Sequence, residues 1–217
     1  MAGWTAIHER QAIIAACLRM NAEGLNQGTS GNVSVRVPGG MLITPSGVPY
    51  AETDPGQIVF VAEDGSWSGD WKPSSEWRMH RDIYRSRPEA QAVVHVHSTC
   101  ATALSCLRRR IPAFHYMVAV AGGRDIRCAD YATFGSQALS DAMIAALDGR
   151  GACLLANHGQ IAFGPSLGKA LWLAGEVEVL ARQLVAAESL GPPAILPDDE
   201  MDRVLALFRD YGSIGRR

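Results

Sequence analysis

The sequence contains no run of about 18 consecutive apolar residues, the least a membrane-spanning helix needs. Gly168, Lys169, Glu176 and Glu178 interrupt even its longest apolar stretch, so no membrane segment is expected. Nor does a charged start lead into an unbroken apolar core: His8, Glu9, Arg10 and Gln11 divide the stretch from Trp4 to Met20, and no signal peptide is expected. The five cysteines, Cys17, Cys100, Cys106, Cys128 and Cys153, are scattered and form no C-x-x-C pair. That argues against a disulfide framework and a thiolate metal site, and it fits a reducing cytoplasm. An excess of either charge is also missing. The formal net charge is -2, and Arg108, Arg109 and Arg110 are too short a basic run to recruit nucleic acid or an anionic membrane. Small molecules and further copies of the chain are the expected partners. Neither G-x-x-x-x-G-K-[ST] nor H-E-x-x-H occurs, so neither a P-loop nucleotide site nor a metalloprotease is implied.

At 217 residues, 47% hydrophobic and 19% charged, the chain has the size and composition of one domain with a substantial core, taken as residues 1–217. Apolar spacing predicts a helix from Trp4 to Glu23 ahead of Gly24. Val33, Val35 and Val37 alternate with polar residues before the Gly39-Gly40 turn and Met41 to Thr44, which reads as a hairpin, with a third strand at Gln57 to Val61. Further helices are expected at Ser74–Arg87, Thr99–Leu107, Phe134–Leu147, Ser166–Ser189 and Asp198–Tyr211, and strands at Ala92–His97 and Gly151–Ala156. Residues 192–217, beyond a Gly-Pro-Pro linker, are expected to be a mobile tail. This mixed order predicts an α/β or α+β sandwich: a central, mostly antiparallel sheet flanked by helices.

The most informative residues are His95 and His97 in Val94-His95-Val96-His97-Ser98, because positions i and i+2 of a strand project from one face and can share an ion. His158, in Asn157-His158-Gly159 just past another apolar strand, is placed to join them. Three imidazoles with an open position describe a catalytic zinc site. A lone H-x-H is more often ordinary strand polarity; the company of Glu76 and the Asn-His-Gly turn favours the ligand reading. His8, His80 and His115 lack partners at ligand spacing and are read as structural. Thr29-Ser30-Gly31-Asn32, Thr44-Pro45-Ser46-Gly47 and Ser74-Ser75-Glu76 each offer hydroxyls and free backbone N–H groups, and together they suit a phosphate. The few lysines, such as Lys72 and Lys169, lie in polar settings unlike that of an imine-forming amine.

These motifs, with His115-Tyr116-Met117, resemble the class II aldolase and adducin family over roughly residues 5 to 190. The resemblance implies a three-layer sandwich, one zinc ion per subunit held by His95, His97 and His158, and Glu76 beside the metal as the proton-transfer group. It implies a phosphate pocket from Gly31, Asn32, Ser46, Gly47, Ser74 and Ser75. It also implies a homotetramer with active sites at subunit interfaces, in which Tyr116 reaches a neighbour's site, a carboxy-terminal tyrosine matching Tyr211, and an aldehyde pocket near Phe134. The implied reaction is reversible cleavage of a ketose 1-phosphate to dihydroxyacetone phosphate and an aldehyde, the substrate being fuculose, 5-deoxyribulose or 5-methylthioribulose 1-phosphate. Pentulose-5-phosphate 4-epimerases resemble the same motifs and are the alternative; a non-catalytic adducin-like head would be expected to lack the histidines.

Overall fold

The computed structural model describes residues 6–210, apart from the side chains of residues 209 and 210. Its frame is one seven-stranded sheet in the order β3-β2-β1-β4-β7-β6-β5. The strands are β1 (Asn32–Val37), β2 (Gly40–Ile43), β3 (Val59–Ala62), β4 (Ala92–Val96), β5 (Cys128–Ala129), β6 (Ala152–Leu155) and β7 (Gly159–Gly164). Every neighbouring pair is antiparallel except β5 with β6. The helices are α1 (Ile7–Ala22), α2 (Trp77–Ser86), α3 (Thr99–Cys106), α4 (Gln137–Ala146), α5 (Leu167–Leu190) and α6 (Asp198–Asp210).

Strand alternation sorts the core into two halves. On one face Val33, Val35, Val94, Val96 and Ala162 pack with Ile13 and Cys17 of α1, Leu104 of α3, and Val177 and Leu180 of α5. On the other, Val93, Ile161, Ile43 and Val61 pack with Met79 and Ile83 of α2 and Met143 of α4. The result is the expected sandwich of helices, sheet and helices.

Helix ends and strand ends depart from expectation in ways that bear on the site. Helix α2 begins at Trp77 rather than Ser74; Glu76 is its cap residue, yet its side chain makes no capping bond. Strand β4 stops at Val96, so His97 lies one residue past it. Helix α4 starts at Gln137, leaving Phe134 in the preceding turn. Strand β7 was not expected: Gly159-Gln160-Ile161-Ala162-Phe163-Gly164 has glycine at both ends and is buried throughout, which hides any alternation. Within the expected mobile tail, Met201 and Val204 of α6 are buried against the core. Trp4, Thr5 and residues 211–217, Tyr211 among them, lie outside the described residues.

Candidate metal centre

Asn32 and Ser34 of β1 and His95 of β4 occupy the α2 side of the sheet, where Asn32 lies opposite His95 and Ser34 opposite Val93. Glu76 at the start of α2 comes down on the same end. His158 sits in the β6–β7 turn. Asn157 there takes φ 54, a left-handed conformation asparagine tolerates, and a Cβ on Gly159 would lie 2.6 Å from the Val96 carbonyl and 3.0 Å from the His97 ring. The Asn-His-Gly signature therefore has a steric cause: the turn must pass tightly beneath His97 to deliver His158.

The four side chains meet. Ligand atoms of Glu76, His95, His97 and His158 all lie within 4.8 Å of one another. His95 Nε2 is 3.0 Å from His97 Nε2 and 3.1 Å from Glu76 Oε2, and His158 Nε2 is 3.0 Å from Glu76 Oε1. His95 Nδ1 is 2.8 Å from the Gln160 carbonyl, so it carries the proton and turns the Nε2 lone pair toward the cluster in the neutral ring. The His97 backbone N–H donates to Asn26 Oδ1 and that of His158 to Ser105 Oγ, so polar partners hold both backbones. Burial alone would raise the Glu76 carboxyl, but the charge of His95 and hydrogen bonds from His158 and His95 outweigh it, and its pKa falls well below the usual carboxylate range. Burial, then the charges of His95 and His158, push His97 down to about 4. Glu76 Oε1 is buried facing His158 Nε2, while Oε2 faces Asn32 Nδ2 and His95 Nε2. Three converging imidazole nitrogens and a buried carboxylate are an electron-pair-rich donor set that a divalent cation fits.

The three cradle segments are adjacent loops. The Ser46 N–H donates to the Lys72 carbonyl and the Ser74 N–H to the Thr44 carbonyl, stitching the β2 exit to the α2 entry, and the Glu76 N–H reaches Ser74 Oγ at 3.3 Å. Gly31, at the start of β1, accepts the Tyr50 hydroxyl on its carbonyl. Ser46, Gly47 and Ser75 are exposed while Gly31, Asn32 and Ser74 are buried. The turn at Gly135, with φ +71, presses on the Ser75 carbonyl, where a Cβ would come to 2.8 Å, so the exposed Phe134 stands beside this loop pair.

Tyr116 does not join the histidine cluster: it begins a 3-10 helix (Tyr116–Ala121), is 51% exposed, and stacks between His115 and Phe208. The Asn32 side chain is already committed, its Nδ2 donating to Glu76 Oε2 at 2.9 Å and its Oδ1 lying 2.6 Å from His80 Nε2, which leaves neither end of the amide free. His80, read as structural from spacing alone, is fully buried behind the site. Its link to Asn32 spans 48 residues of sequence, and no local spacing signals it.

Comparison with known proteins gives a consistent result. The model of the "Class II Aldolase and Adducin N-terminal domain" family matches residues 11–185. The chain is 54% identical over 203 residues, 94% of this chain and 92% of the other, to a 5-methylthioribulose-1-phosphate/5-deoxyribulose-1-phosphate aldolase of Rhodospirillum rubrum. It is 52% identical over 201 residues, 92% of this chain and 94% of the other, to an L-fuculose phosphate aldolase of Escherichia coli. A solved L-fuculose 1-phosphate aldolase superposes with a TM-score of 0.92 at 39% identity, covering 96% of this chain and all of the other.

Proposed function

The chain belongs to the class II aldolase and adducin family, and we propose that it is a zinc-dependent aldehyde-lyase that reversibly cleaves a ketose 1-phosphate into dihydroxyacetone phosphate and an aldehyde. The observation that carries this is the convergence of His95, His97, His158 and the Glu76 carboxylate in one buried cluster beside the stitched serine loops. The three imidazoles would hold the cation, which when bound polarises the ketose carbonyl and hydroxyl oxygens and offsets the charge that develops on cleavage.

The remaining work belongs to the protein's own groups. Backbone N–H groups at Gly31 and Gly47 and the hydroxyls of Ser46, Ser74 and Ser75 bind and orient the phosphate. Glu76 gives and takes the proton at the carbon of the dihydroxyacetone phosphate half, through Oε1, the oxygen that the Asn32 amide does not hold. Tyr116, exposed in its own subunit, serves the aldehyde oxygen in a neighbouring subunit of a homotetramer, and Phe134 lines the aldehyde side. Tyr211 would close over the same side.

The names of the two relatives favour fuculose, 5-deoxyribulose and 5-methylthioribulose 1-phosphates as substrates. The test is dihydroxyacetone phosphate release from each of these, with and without a chelator. Release abolished by chelation and restored by zinc is expected. Stoichiometric zinc with no release from any of the three would overturn the reading and direct attention to epimerase chemistry.

A further inference from the structure

Behind the metal centre runs a row of buried polar side chains that the proposed chemistry leaves unused. From Glu76 Oε2 it passes to Asn32 Nδ2 at 2.9 Å, from Asn32 Oδ1 to His80 Nε2 at 2.6 Å, and from His80 Nδ1 to Ser34 Oγ at 2.7 Å. It ends at the Tyr84 hydroxyl, 2.8 Å from Ser34 Oγ, with the Arg36 guanidinium 4.8 Å above the Tyr84 ring. All five members are buried.

The direction of each hydrogen bond follows from the chemistry of the ends. An ionised carboxylate only accepts, so Asn32 must present its amino group to Glu76 and its carbonyl to His80. Burial, with the charge of His95, pushes His80 down to about 3, so the ring is neutral and carries a single proton. Facing the Asn32 carbonyl, that proton sits on Nε2, and Nδ1 must accept from the Ser34 hydroxyl. Burial pushes the Tyr84 phenol up, which keeps its proton in place to donate to Ser34 Oγ. A flipped Asn32 would set its carbonyl against the carboxylate and its amino group against His80 N–H, losing both bonds.

We propose that His80 is a positioning residue: as its Nε2–H tautomer it fixes the Asn32 amide, which anchors Glu76 Oε2 and so orients the carboxylate, with Oε1 on the His158 side, for proton exchange. This rests on Glu76 being the proton-transfer group. His80 touches neither substrate nor cation and acts only through Asn32. A merely space-filling His80 would support stability without affecting the chemical step, which separates the two roles.

The test compares His80→Phe, which keeps a ring and loses the donor, with His80→Gln, which keeps a donor at the reach of Nε2, in the zinc-loaded enzyme. His80→Phe is expected to lower kcat by about 10–100-fold, the usual range for loss of a supporting hydrogen bond behind a metal site, with KM and bound zinc near wild type. His80→Gln should recover most of the loss. In an Asn32→Ala background His80→Phe should cost little more, because the two share one route to Glu76. Undiminished kcat in folded His80→Phe, or fully additive losses with Asn32→Ala, would overturn the proposal. If His80→Phe does not fold, imidazole nitrogen NMR of the wild-type protein decides: a protonated Nε2 is required, and a protonated Nδ1 overturns it. Glu76→Gln separates the two layers, since an active Glu76→Gln enzyme defeats the underlying reading, whereas an inactive one beside an unaffected His80→Phe defeats only the role of His80.

Discussion

Glu76 carries two demands that pull its carboxyl in opposite directions. Burial raises its pKa, while the imidazoles keep it ionised and the Asn32 amide keeps it aimed. Glu76→Gln preserves shape and one acceptor oxygen but cannot take a proton. It should therefore retain bound zinc while losing turnover by about 10²–10⁴-fold, the usual share of a general base; zinc analysis alongside release of dihydroxyacetone phosphate checks both halves. His80 sets a second residue-scale expectation, read from stability. Its folded pKa, about 3, lies below the ordinary 6.5, so between those values the unfolded chain binds a proton that the native chain refuses. Stability should thus be level above pH 6.5 in this contribution and fall with decreasing pH below it, by about 1.4 kcal/mol per pH unit while one full proton is involved. His97, pushed to about 4 in the metal-free cluster, adds in the same direction. Urea unfolding of chelator-treated protein from pH 4.5 to 7.5 should show a shallower fall for His80→Gln than for wild type. Equal slopes would mean that His80 does not stay neutral.

Elements convert these residues into a site by their ends. Helix α3 starts two residues after His97, and its first turn is held from a distance: Glu178 of α5, itself buried, accepts the N–H groups of Cys100 at 3.0 Å and Ala101 at 2.9 Å. A carboxylate there suits the positive end of the helix. Glu178→Ala should cost about 1–3 kcal/mol in chemical denaturation, because two donors in the first turn lose their acceptor. It should also weaken zinc retention by loosening the strand-to-helix corner that carries His97; Glu178→Gln, which keeps one acceptor, should lose less of both. Much at this scale was legible beforehand. Alternating valines marked β1, a buried apolar run marked β4, and the H-x-H and Asn-His-Gly segments marked the histidines that converge, because local periodicity and turn chemistry encode those directly. Other parts were not. Strand β7, glycine-bounded and buried throughout, offers no alternation to read, and the ladder from Asn32 to His80 exists only once β1 is laid across α2. Even at His97, beyond the end of β4, the i, i+2 argument identified the partner while the observed backbone there had already left the strand.

The whole molecule raises the question of where Tyr116 acts. Its ring is half exposed, stacked between His115 and Phe208 rather than set beside Glu76, on a face where Met117, Val120, Trp172 and Leu205 line a cavity of about 1030 Å³. Under the proposed function, a tyrosine so placed would serve chemistry across a subunit boundary, and activity would then depend on neighbouring chains. Tyr116→Phe alone should bind zinc and phosphate normally and lose most cleavage. Glu76→Gln alone should also be inactive. When the two inactive proteins are mixed, dissociated and reassembled, some sites will pair an intact Glu76 from one chain with an intact Tyr116 from the next; for random assembly around a closed ring this is about a quarter of all sites. Recovery of roughly that fraction of wild-type turnover, in a species whose light-scattering mass is a multiple of the chain, is the expected result. If Tyr116 served its own subunit instead, every site in the mixture would still lack one of the two groups and no activity would return, however complete the reassembly.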